Sequence, residues 1–257
     1  MNALTPIADA ASVLTLRMPM KHFAIASTAR THPGRRQVNE DAVLARDDLG
    51  VWAVADGMGG HKGGSWASAT VIEALARLAA QADDAAAVLD QAVAEGNQEI
   101  VEAAREVGGT IGTTVAALSF DGLFVTGLWV GDSRIYRWRD GQLERMTRDH
   151  SIVQELVDRG TLHPDDAERH PMAHVLSRAV GVQATITTDR FGAQAAPGDL
   201  FLLCSDGLTR VVSEAEIAAQ LAPGHAQVAA DTLIDLVLAR GAPDNVSVVV
   251  VKIAAAY

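Results

Sequence analysis

Across 257 residues there is one cysteine, Cys204, so no intrachain disulfide can close. No His/Cys cluster at zinc-ligand spacing accompanies it, and a reducing cytoplasm is the expected compartment. Basic residues are in short supply too: 21 Lys and Arg stand against 32 Asp and Glu, a formal net charge of −11 at pH 7. That balance argues against a dedicated nucleic-acid binder, whose footprint is basic. No run reaches the roughly 18 apolar residues that cross a bilayer, because Asp, Arg or Gly interrupts each candidate. The first twenty residues lack a basic leader ahead of an apolar stretch, since Asp9 precedes Arg17 and Lys21. A signal peptide is therefore not expected, and residues 1–20 read as a flexible extension. Internal repeats and low-complexity linkers are missing as well. What is present, 49% hydrophobic and 21% charged residues, is the composition of a globular protein.

Short β-branched and apolar runs predict strands at Phe23–Ser27, Val51–Ala55, Thr114–Phe120, Leu123–Val130, Ile135–Trp138, Leu200–Cys204 and Val246–Ile253. Helical spacing appears at Val71, Ala74, Leu75 and Leu78, at Leu89, Ala92, Val93, Gly96 and Ile100, and at Leu233, Leu236 and Val237. The dipeptides Asp121-Gly122 and Asp140-Gly141 are hairpin punctuation, which implies antiparallel pairing. A mostly antiparallel sheet core with helices on its outer faces, an α+β arrangement, fits this order better than a doubly wound parallel sheet. The stretch Ser151–Val175, rich in His, Asp and Arg, reads as a mobile surface segment.

Four carboxylates sit at strand ends. Asp56, Asp132 and Asp206 follow predicted strands, and Asp244 precedes the last one. In an antiparallel sheet the exit of one strand lies beside the start of its neighbour, so these distant residues can meet on one edge. Converging carboxylates repel unless protonated or bound to cations, and hard oxygen ligands favour Mg²⁺ or Mn²⁺. Of the four Asp-Gly pairs, those at Asp56 and Asp206 lack hairpin context and are the ones selected as site candidates. The glycine run from Gly57 to Gly60 leaves backbone carbonyls and amides open to an ion, so Gly57 is a candidate carbonyl ligand.

Taken in order, Arg36-Gln37-Val38-Asn39-Glu40-Asp41, the run Asp56–His61, Gly112-Thr113-Thr114, Gly131-Asp132-Ser133-Arg134, Ser205-Asp206-Gly207-Leu208 and Asp244-Asn245-Val246-Ser247 form a specific set. From about Phe23 to Ile253 the chain resembles a bacterial metal-dependent serine/threonine protein phosphatase of the PPM type, also called type 2C. The resemblance implies a four-layer α/β/β/α sandwich, two central antiparallel sheets flanked by helices, in a single phosphatase domain spanning 21–257. It implies a pair of Mn²⁺ or Mg²⁺ ions, with a weaker third. Asp56 resembles the carboxylate that bridges both metals, Gly57 the carbonyl ligand of the second, and Asp206 and Asp244 the ligands of the first. Glu40 resembles the residue holding metal-bound waters, Asp132 with Asp206 the third-metal pair, and Asp41 a supporting acid. Arg36 resembles the arginine that grips the substrate phosphate, and His61 the histidine of leaving-group protonation or substrate handling.

The activity so implied is direct hydrolysis of phosphoserine and phosphothreonine on proteins by metal-activated water, with no phosphoenzyme. Expected partners are phosphorylated proteins and a cognate Ser/Thr kinase, with no nucleic acid and no membrane, and the chain is expected to act as a monomer. The segment near 151–175 falls where the family places a variable flap beside the site. Three alternatives compete. Cys204 and Arg210, with five residues between them, have the spacing of a cysteine-dependent phosphatase loop, but Asp206 would put a carboxylate among the amides that must cradle phosphate. A catalytically silent phosphoprotein-binding pseudophosphatase would keep the fold, yet every ligand position is filled. A nucleotide-binding glycine loop fails because Lys62 follows His61 and no Ser or Thr succeeds it.

Overall fold

Val246–Ala255 (β11) is apolar apart from Ser247 and Lys252, because both of its faces are covered. Val248 and Val250 pack outward with helices, whereas Val249, Val251 and Ile253 point to a second sheet. The computed structural model describes residues 23–59 and 63–255. In it β11 lies between Phe23–His32 (β1) and Leu200–Cys204 (β10), and β10 continues to Arg134–Arg139 (β7) and Gln142–Arg145 (β8). All pairings in this five-stranded sheet are antiparallel.

The second sheet runs Asp41–Arg46 (β2), Val51–Met58 (β3), Val115–Phe120 (β5), Phe124–Val130 (β6) and Asp189–Gln194 (β9), with the short Gly112–Thr113 (β4) on β3. Trp52, Val54, Ala116, Leu118 and Val125 face the first sheet. Their neighbours Val51, Ala53, Ala55, Val115 and Ala117 meet Gly63–Ala79 (α1) and Ala85–Val107 (α2) on the outer side. The first sheet is covered in the same way by Asp206–Thr209 (α4), Glu214–Leu221 (α5) and Ala226–Ala239 (α6). The result is the expected α/β/β/α sandwich. Both predicted hairpins are present, and at the β7–β8 turn Asp140 and Gly141 have φ of 51° and 82°, as a two-residue I′ turn requires.

Four strands escaped the sequence pattern, namely β2, β4, β8 and β9. β8 and β9 are sheet edges, where one flank meets no partner and polar residues are tolerated, so no hydrophobic run marks them; β2 is also an edge and carries only the short run Ala42–Ala45 between Asp41 and Arg46, and β4 is two residues long. The segment 151–175 has local structure of its own. It holds Ile152–Asp158 (α3), capped by Ser151, and a 3₁₀ helix at Pro164–Arg169. Its two ends are tied together by an isolated bridge between Ser151 and Leu176. Residues 1–20 and His61 lie outside the described residues.

Candidate metal centre

Strand ends from both sheets open onto one cavity of about 670 Å³. Asp56 and Gly57 close β3, Asp132 follows β6, Asp206 follows β10, and Asp244 and Glu40 lead into β11 and β2. Arg36 lines the same space. Every metal-site residue expected from the sequence, together with Arg36, therefore lines one cavity.

Backbone packing holds these positions close. A Cβ on Gly57 would lie 2.1 Å from the Gly64 carbonyl oxygen and 2.6 Å from that of Glu40, so only glycine lets these three segments touch. At Gly207 a Cβ would sit 1.9 Å from the Asn245 oxygen, which is how the Asp206 and Asp244 turns come together. Asn245 then fixes the arginine-bearing loop. Its side-chain oxygen accepts from the Glu40 amide at 2.8 Å, and its amide donates to the carbonyls of Pro33 at 2.9 Å and Val38 at 3.1 Å. Thr114 links the remaining pieces, accepting from the Asp56 amide at 2.9 Å and sharing a 2.7 Å hydrogen bond with Ser133.

The electrostatics are those of carboxylates short of countercharge. Loss of hydration is the largest cause at each, with mutual repulsion added. Asp56 is pushed well above the ordinary carboxylate range by burial and then by Asp41, Asp206, Asp132 and Asp244. Asp132 is pushed up to about 7 by burial, Asp206 and Asp149. Asp206 rises to about 6 despite the opposing charge of Arg210. Asp41 pairs in register with Asp56 and accepts a 2.8 Å hydrogen bond from Ser205. Burial lifts it to about 6, partly offset by bonds with Ser247 and Ser205. Among the described residues, Glu40 Oε1 and Asp41 Oδ1 are buried oxygens without a hydrogen-bond partner.

Those orphaned oxygens and repelling acids suit a hard divalent cation, which would satisfy both deficits at once. Among the described residues, no three acidic, imidazole or thiol side chains converge closely enough to form a finished ligand set by themselves. The cations meeting these carboxylates are arginines. Arg36 is bidentate on Asp244, with Nε and Nη2 each at 2.9 Å from a carboxylate oxygen. Arg210 contacts Asp206 and reaches Asp244 at 3.5 Å.

Asn245, Thr114 and Arg210 had no site role assigned from sequence, although each lies in or beside a quoted segment. The sequence signal was their adjacency to the aspartates, but their geometry required the fold. His174, on the segment after the 3₁₀ helix, also lines the cavity; its only sequence signal was its place in the His-rich stretch 151–175. Cys204 is fully buried and its thiol is pushed up to about 12 by burial, so it cannot serve as a nucleophile. The cysteine-phosphatase alternative falls with it.

Two antiparallel sheets that present a row of acids to one cavity, with an arginine opposite, define a hydrolase type that sets divalent cations against phosphate esters. The chain belongs to the protein phosphatase 2C family, whose model matches residues 28–239. It is 42% identical over 226 residues to the serine/threonine protein phosphatase PstP of Mycobacterium tuberculosis. That match covers 85% of this chain and 43% of the relative, so the chain spans less than half of that protein's length. The structure of PppA, a key regulatory component of T6SS in Pseudomonas aeruginosa, is similar with a TM-score of 0.81 and 38% identity, covering 89% of this chain and 97% of that one. The catalytic domain of PstP in complex with 2 manganese ions aligns with a TM-score of 0.82 and 38% identity over 90% of this chain and 99% of the other. Among the described residues, no helix is long and apolar enough to cross a membrane.

Proposed function

We propose that this protein is a metal-dependent serine/threonine protein phosphatase that hydrolyses phosphoserine and phosphothreonine on protein substrates. The observation that carries the proposal is the convergence of Glu40, Asp56, Gly57, Asp132, Asp206 and Asp244 on one cavity that Arg36 also lines. Asp206 and Asp244 would hold the first Mn²⁺ or Mg²⁺, the Gly57 carbonyl the second, and Asp56 both, with Glu40 ordering their waters and Asp132 holding a weaker third ion. Bound there, the ions supply Lewis acidity and a water activated near neutral pH.

The chain's own groups do the rest. Arg36 is planar, more than half exposed and bidentate, so it can exchange the Asp244 carboxylate for two phosphoryl oxygens. Asn245 keeps that arginine's loop in place. His61 is assigned to leaving-group protonation or substrate handling. The segment 151–175 is assigned as the flap that shapes protein-substrate choice, and the proposed setting is cytoplasmic, opposing a Ser/Thr kinase. The phosphatase domain is proposed to occupy 21–257.

The test is hydrolysis of para-nitrophenyl phosphate and a phosphothreonine peptide, with Mn²⁺ or excess EDTA, by wild type, Asp206→Asn and Cys204→Ala. Metal-dependent activity lost only in Asp206→Asn is the expected result. Activity that survives EDTA refutes the reading, and a wild type that binds phosphopeptide without turnover points to the pseudophosphatase. Exchanging 151–175 for another sequence is expected to change phosphoprotein preference more than aryl phosphate hydrolysis, and equal effects on both refute the flap assignment.

A further inference from the structure

Arg36 and Arg210 both meet the carboxylates assigned to the first metal, but they arrive differently. Arg36 comes from a loop, is 58% exposed and bonds Asp244 alone. Arg210 caps the C-terminus of α4, four residues after Asp206, and touches both Asp206 and Asp244 while only 31% exposed. Its charge also bears on Asp132 across the cavity and on His174 above it. It therefore stands where a metal's charge would act, tethered to the same short helix as the ligand it neutralises.

Arg210 has a second place to go. A neighbouring cavity of about 780 Å³ shares Asp132, His174, Asp206 and Arg210 with the first, and contains Asp149 and Glu214. Asp149 is already held by Arg134 at 2.7 Å, whereas among the described residues Glu214 accepts a neutral bond from the Tyr136 hydroxyl at 3.0 Å and no charged one. A guanidinium leaving Asp206 can turn toward Glu214 without leaving the protein's field.

We propose that Arg210 is a built-in competitor for the first metal ion, a tethered cation that neutralises Asp206 and Asp244 in the metal-free protein and turns into the second cavity when Mn²⁺ binds. This rests on Asp206 and Asp244 being metal ligands. No covalent bond changes: the ion pairs of Arg210 with Asp206 and Asp244 break and carboxylate–metal contacts replace them. Two consequences follow from the charge exchange. Metal affinity is weaker than the acidic cluster alone would give, and the empty site is relieved of part of its repulsion. By reciprocity, whatever Arg210 contributes to the metal-free protein it withholds from metal binding.

The experiment is calorimetric titration of the metal-free protein with Mn²⁺, in wild type, Arg210→Gln and Arg210→Lys. A unit positive charge several ångströms from a divalent ion in a partly screened cavity opposes binding by about tenfold or more. Arg210→Gln is accordingly expected to bind Mn²⁺ at least about tenfold more tightly, and to melt lower than wild type without metal. Arg210→Lys, which keeps the charge, is expected to stay near wild type. Should metal-free Arg210→Gln fail to fold, chelator competition starting from the Mn²⁺-loaded proteins gives the same comparison. Equal affinity in wild type and Arg210→Gln overturns the proposal while leaving the metal site intact. A lysine variant that tightens binding as glutamine does overturns the role of charge. Absence of Mn²⁺ binding in all three proteins removes the metal-site reading itself, and the proposal with it.

Discussion

Asp132→Asn tests whether the acidic edge is held at a cost that cations relieve. The folded protein raises this carboxyl from 3.8 to about 7, through lost hydration and the charges of Asp206 and Asp149. A raised folded value means that the group does not destabilise the fold below 3.8, and that stability is lost as the pH climbs through about 7. At about 1.4 kcal/mol per pKa unit, the full penalty at neutral pH is about 4 kcal/mol, of which roughly 2–3 kcal/mol develops between pH 5 and pH 7.5. Asparagine keeps the shape and removes the charge. In EDTA, Asp132→Asn is therefore expected to melt above wild type at pH 7.5, with an advantage roughly 5–10 °C smaller at pH 5. Saturating Mn²⁺ should shrink the gap at pH 7.5, because bound ions neutralise the same repulsion in wild type. Thermal denaturation followed by circular dichroism measures all of this. An advantage independent of pH, or a variant less stable than wild type at pH 7.5 in EDTA, refutes the argument that Asp132 is a strained acid.

The other expectations are simpler. Asp244→Asn should lower kcat on para-nitrophenyl phosphate by roughly 10³-fold with little change in the circular dichroism spectrum, and near-wild-type kcat would remove Asp244 from the metal centre. Gly207→Ala forces a Cβ to 1.9 Å from the Asn245 oxygen and should cost more than about 2 kcal/mol in denaturant unfolding, so a neutral effect would refute the close approach of these turns. Asn245→Ala deletes three hydrogen bonds to the Arg36 loop and should raise KM for a phosphopeptide at least about tenfold, whereas a stability loss without a kinetic change would make Asn245 merely structural. Cys204→Ala should leave kcat unchanged, since the thiol is buried away from the cavity, and loss of turnover in a folded variant would reopen the cysteine mechanism.

Much of this protein was settled by local pattern. Central strands such as β10 and β11 are buried on both faces, so β10 is a continuous apolar run and β11 is apolar but for Ser247 and Lys252, and the Asp-Gly turns announce antiparallel hairpins. Antiparallel pairing in turn places strand exits beside strand starts, which is why Asp56, Asp132, Asp206 and Asp244 could be grouped before any coordinates were known. Edge strands β8 and β9 left no such trace, because a strand with one open flank can carry polar residues, and edge strand β2 left only the short run Ala42–Ala45. Only the tertiary structure decided what surrounds the acids. That Asn245 clamps the loop of Glu40, 205 residues away, depends on two turns from different parts of the chain meeting across Gly207. That Arg210 lies on two carboxylates rather than in a phosphate loop depends on where α4 ends, and no spacing along the chain encodes the direction in which a long side chain turns. Residue type and strand order fix which groups reach the edge, while packing between distant segments fixes their distances, their hydration and hence their chemistry.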